Sequence, residues 1–99
     1  MIDLLSKIYV DLNELVIRKV PHDKEILSTR IIKEHTKICE YCFNIKNSNK
    51  DKNYMLEFKV SIKYILFILN YFVSKKTINN NIYKIIEKEY KDLYYIINP

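Results

Sequence analysis

Ninety-nine residues define one domain near the lower end of independent stability; 48% are hydrophobic, with no Gly and two Pro. Strands joined by tight turns need positive-φ positions, which Gly supplies most cheaply. The composition therefore argues against a β-sandwich or a Gly-rich phosphate loop and for long helices. The net charge is +5 and is uneven: residues 26–86 hold eleven basic and four acidic side chains, which points to a polyanion such as nucleic acid or phospholipid, or else to a solvated Lys-rich surface.

The first predicted helix spans 2–20. Leu5, Ile8, Leu12, Leu15 and Val16 recur at helical steps, while Asp3, Lys7, Asp11, Glu14 and Arg18 take the opposite face. Pro21 ends it, because the residue before a proline is pushed out of the α region. The second helix spans 23–46 with Asp23 as N-cap. Its stripe is Leu27, Ile31, Ile38, Cys42 and Ile45, with position 34 or 35 filling the gap. The Asn- and Lys-rich break "NIKNSNKDKN" covers 44–53.

The third helix, 53–75, has the strongest period. Met55, Phe58, Ile62, Ile65, Leu69 and Phe72 form a seam that Leu56, Leu66 and Val73 widen into a core face. After the break "TINNN", the fourth helix covers 79–97, with Ile82, Ile85, Ile86, Leu93 and Ile96 inward. Four amphipathic helices with short connections predict an all-α, antiparallel up-down-up-down bundle. The longest apolar run, 60–73, is too short to span a bilayer, for which about 20 apolar residues are needed. "MIDLLSKIYV" lacks the marks of a signal peptide, so a cytoplasmic protein with reduced cysteines is expected, with no membrane partner.

The stretch "KVPHDKEILSTRIIKEHTKICEYC" (19–42) concentrates the chemistry. His35, Cys39 and Cys42 share a helical face at spacings compatible with zinc, but structural zinc wants four ligands and the same face is the apolar stripe. No metal and no cofactor is therefore assigned, and the thiols are read as core residues. "RIIKEH" has the Arg-x4-His spacing of HEPN ribonucleases, in which a cation stabilises charge and an imidazole moves a proton. The alternative puts Arg30 on a flank and His35 at the core edge. Arg30, Lys33 and Lys37 lie along one face of the second helix, and Lys59 and Lys63 form an i,i+4 pair on the third. Such stripes track phosphates or are simply solvated.

The order of elements resembles the accessory variability determinant (Avd) of diversity-generating retroelements and the related four-helix proteins encoded in ribosomal-RNA intervening sequences. The matching residues are Val20-Pro21, the turn "HDKEI", Leu27-Ser28-Thr29-Arg30-Ile31, the break and third helix "NKDKNYMLEFKVSIKYILFIL", and "INNNIYKIIEKEYKDL". Ser28 stands where the family often has Gly. The resemblance implies a basic, non-catalytic bundle that forms a homo-oligomer, a pentamer by analogy. It also implies binding to RNA or other nucleic acid and association with the element's reverse transcriptase in mutagenic cDNA synthesis. On that reading Arg30, Lys33, Lys37, Lys59 and Lys63 contact nucleic acid. A small HEPN-like ribonuclease and a viral or plasmid-encoded protein-interaction bundle are the alternatives.

Overall fold

The computed structural model describes residues 1–45 and 52–98, and among these it is all-α, with four helices and no strand. The break expected across 44–53 lies largely outside the described residues. The helices are α1 (Ile2–Asp11), α2 (Glu25–Asn44), α3 (Lys52–Ser74) and α4 (Asn80–Ile97). α1 packs on α2 and α4, and α3 packs on α2 and α4. At 1.5 Å per residue the 23 residues of α3 span about 35 Å. That accounts for most of the 41 Å long axis of the body.

The helix expected over 2–20 is in three parts. Regular α-helix stops at Asp11, a π-helical turn covers Leu12–Val16, and a 3-10 turn covers Ile17–Lys19. Where the i→i−4 ladder gives way, Asn13 Nδ2 donates to the Tyr9 carbonyl at 2.9 Å. Leu12 and Val16 stay fully buried through the change of pitch. Val20 is extended at ψ 130°, as its place before Pro21 requires. Asp23 is not the N-cap of α2. Residues His22–Lys24 form a 3-10 turn in which Lys24 N–H donates to the Pro21 carbonyl, so α2 starts at Glu25, with Lys24 at the cap position and no side-chain cap. α4 does have a capped start: the Asn79 side chain accepts from Ile82 N–H at 3.0 Å.

The chain's lack of glycine shows at the end of α3. Thr77 N–H reaches back to the Phe72 carbonyl and Lys76 N–H to the Val73 carbonyl, the paired bonds of a Schellman motif. Its left-handed position, where glycine is usual, is occupied by Lys76 at φ 61°.

One apolar cluster draws on all four helices. Leu5, Ile8, Leu12 and Val16 meet Ile31, Ile38 and Cys42, with Phe58, Ile65, Leu69 and Phe72 from α3 and Ile82, Ile86 and Leu93 from α4. Of the seam expected on α3, Phe58, Ile65, Leu69 and Phe72 are buried, while Met55 and Ile62 are half-buried at the edge of the cluster. Three residues expected inward are exposed: Leu56, Ile85 and Ile96. At 100° per residue, Leu56 lies about 160° around the helix from Phe58, and Ile85 about 100° from Ile86, so the core can take only one of each pair. Ile96 sits in the last turn of α4. Ile68, Ile78 and Tyr90 are buried instead. Among the described residues no helix is long and apolar enough to cross a membrane.

Candidate nucleic-acid interface

Arg30, Lys33 and Lys37 follow one another along α2, but they do not present three equivalent charges. Glu34 is between them, only 4% exposed. Its Oε1 lies 3.2 Å from Arg30 Nε and 3.4 Å from Lys37 Nζ. The Arg30 Nε is itself buried and, among the described residues, its N–H is not aimed at an acceptor, so the Arg30–Glu34 contact is ionic without a well-aligned hydrogen bond. The guanidinium lies 4.9 Å from the centre of the Tyr64 ring on α3. Arg30 is therefore held in an open groove of about 660 Å³ between α2 and α3, whose walls also carry Lys37, Glu40 and Glu57. Three carboxylates there face two cations. Lys33 is different: it is exposed and has no ion pair among the described residues.

Lys59 and Lys63 face the other neighbour of α3. Together with Lys91 of α4 they line a narrower cleft of about 230 Å³, with Ile62, Leu66, Tyr90, Tyr94 and Tyr95 as its apolar walls and Glu87 as its acid. Lys59 Nζ is 5.3 Å from the centre of the Tyr94 ring. Glu87 is 4.0 Å from Lys91 in an exposed ion pair. The five basic residues read from the sequence thus do not form one patch: Arg30 and Lys37 gather around Glu34, Lys59 and Lys63 stand in the α3–α4 cleft, and Lys33 belongs to neither. Between the two groups the outward crest of α3 exposes Leu56, Val60 and Phe67, the last 73% exposed.

His35 is 1% exposed and belongs to neither group. Its Nε2 lies 3.1 Å from the Leu5 carbonyl and its Nδ1 2.8 Å from the Tyr90 hydroxyl. A carbonyl only accepts, so Nε2 carries the proton and donates, while Nδ1 accepts from the Tyr90 O–H. Burial holds the imidazole pKa below its ordinary value, opposed by the Leu5 carbonyl bond. This neutral ring ties α1, α2 and α4 together. Arg30 and His35, five residues apart, are separated by about 140° around α2, so one side chain lies against α3 and the other points into the core.

Cys42 is buried in the apolar cluster, and burial pushes its thiol up to about 12; Cys39 is also raised by burial. Among the described residues no group of three or more His, Cys, Asp or Glu is placed to hold a metal ion.

Sequence reasoning missed the polar residues of α4. Glu89, buried, accepts from Lys7 Nζ at 2.9 Å, and Lys7 also donates to Asp11 at 2.9 Å. Burial raises the Glu89 carboxyl pKa, and its Oε1 has no partner among the described residues. Tyr90 could have been found by period, since Ile82, Ile86, Tyr90 and Leu93 step by four, four and three. Glu89 gave no such signal, because a carboxylate on that flank reads as solvated. Compared with protein-family models, curated proteins and solved structures, the chain matches none.

Proposed function

We propose that this chain is a non-catalytic accessory protein that binds RNA or other nucleic acid and, as the Avd-like order of its elements implies, works as a cytoplasmic homo-oligomer with the reverse transcriptase of a diversity-generating retroelement. The observation that carries the binding reading is the set Lys33, Lys59 and Lys63: exposed, on adjacent helices, and without ion pairs among the described residues. Such charges add at a phosphate backbone. Arg30 and Lys37 contribute less to it, being held by Glu34. The buried position of His35, with both ring nitrogens bonded, supports a positioning role in the core over proton transfer to a phosphodiester.

The test is the salt dependence of RNA binding. Replacing Lys33, Lys59 and Lys63 by Gln removes up to three phosphate contacts and lowers the log–log salt slope by roughly 0.7–0.9 for each. An unchanged slope refutes the reading. Co-purification with the reverse transcriptase, and cDNA synthesis with and without this protein, test the accessory role. The exposed Leu56, Val60 and Phe67 favour a second reading, a protein-interaction bundle that uses the crest of α3.

A further inference from the structure

The α3–α4 cleft differs from the rest of the basic surface in combining a small apolar cavity with an excess of positive charge. Its volume of about 230 Å³ is below the roughly 300–1,000 Å³ of clefts that enclose drug-sized ligands. It suits one flat ring. Leu66 supplies an aliphatic wall, and Tyr94 and Tyr95 supply two rings whose centres are 6.1 Å apart and nearly perpendicular. Tyr95 is 66% exposed, so its side chain is accessible from solvent at the mouth of the cleft. Lys59 and Lys63 stand on the α3 side and Lys91 on the α4 side. The cleft's one acid, Glu87, is engaged by Lys91, which leaves Lys59 and Lys63 without a carboxylate partner among the described residues; Lys59 lies over the Tyr94 ring.

We infer that this cleft takes an unstacked base of a single-stranded nucleic acid, with the base against Leu66 and Tyr95 and the flanking phosphates on Lys59 and Lys63. The inference rests on the nucleic-acid reading above and specifies where and in what form the strand binds. A flat apolar ring joined to negative charge is the chemistry of a nucleotide within a strand, and the two α3 lysines stand beside the apolar wall of the cavity. Bases within a duplex are paired and stacked and do not enter a cleft this narrow. Base–aromatic stacking is tolerant of sequence, since every base has a π-face.

Fluorescence anisotropy with the full chain tests this, using a labelled oligothymidylate, an abasic strand of the same length, and a duplex. The oligothymidylate is expected to bind roughly 5- to 160-fold tighter than the abasic strand, the range one base–aromatic stack supplies. Tyr95→Ala abolishes that difference without changing abasic binding, and Tyr95→Phe, which keeps the ring, preserves it. Lys59→Gln and Lys63→Gln weaken both strands alike. Equal binding of base-bearing and abasic strands, or a Tyr95→Ala variant that keeps the preference, overturns the base site and leaves the phosphate reading standing. Absence of binding to any of the three probes overturns both. Displacement of the oligothymidylate by a Glu/Tyr copolymer at matched charge assigns the cleft to an acidic protein segment and overturns the inference.

Discussion

The His35–Tyr90 contact makes a prediction that separates a structural histidine from a reactive one. His35→Leu puts an apolar side chain of similar size in place of the imidazole and removes the acceptor of the Tyr90 hydroxyl, which is buried at 1% exposure. A buried donor left without a partner costs about 1–3 kcal/mol. The Leu5 carbonyl is not orphaned, because in α1 it also faces the Tyr9 N–H one turn on. Tyr90→Phe leaves Nδ1 without its donor and costs about as much. The double variant leaves neither group unpaired at that contact, so its loss falls short of the two single losses added together by at least about 1 kcal/mol. Urea unfolding followed by circular dichroism reads all four proteins, against a total of about 5–15 kcal/mol for a domain of this kind. The same histidine sets a pH dependence. Its folded pKa lies below the ordinary 6.5, so in mild acid the unfolded chain binds a proton that the folded chain does not. The stability it contributes is complete above 6.5 and is lost as pH falls from there through the folded value. His35→Leu flattens that part of the profile. Additive single variants, or a profile the same in wild type and His35→Leu, refute the assignment.

Leu69→Ala, at a fully buried position of the α3 seam, costs about 2–5 kcal/mol in the same unfolding assay, and a loss near zero would mean that the seam faces elsewhere. Lys76→Gly relieves the left-handed conformation at φ 61° and stabilises the fold by roughly 0.5–1 kcal/mol; destabilisation would show that the lysine side chain matters there more than the backbone. On the proposed nucleic-acid role, Glu34→Gln releases Arg30 and Lys37, so RNA binding is expected to tighten and its salt slope to steepen by up to about 0.7–0.9 per phosphate gained, whereas Arg30→Gln alone changes little. Phe67→Glu on the crest of α3 leaves helicity intact and lowers the native mass measured by light scattering if that crest joins copies of the chain; an unchanged mass removes the crest from any oligomer contact.

The fold was legible because most of its determinants are local. Steps of three and four along α3 identify Phe58, Ile65, Leu69 and Phe72 without knowledge of any neighbour, and all four are buried. Errors arose where a second helix decides the outcome. Ile85 and Ile86 are equally apolar, and only the position of α4 against its neighbours selects Ile86. The π turn at Leu12–Val16 left no readable mark either, since Leu12 and Val16 fit a continuous α-helix equally well in sequence. The candidate site was legible as residue types and not as electrostatics. Arg30, Lys33 and Lys37 form one stripe by spacing, yet a buried Glu34 within that stripe engages two of them, and its burial depends on the α2–α3 packing.

The stretch 19–42 shows how far composition alone misleads about chemistry. A helix sends residues five apart to different neighbours, so Arg30 reaches the Tyr64 ring on α3 while His35 reaches α1 and α4. The two share a motif spacing but not a surface. Glu34 and His35, adjacent in sequence and about 100° apart on the helix, fill the gap in the apolar stripe together, one against each side. Each polar group in the stripe is buried with a partner: Glu34 with Arg30 and Lys37, His35 with Tyr90 and the Leu5 carbonyl. Unpaired polar groups in a core are costly, and paired ones fix which helices lie beside one another. With Arg30 and Lys37 engaged by Glu34 and His35 buried, the proposed nucleic-acid binding is tested first at Lys59, Lys63 and Tyr95 rather than at Arg30 and His35.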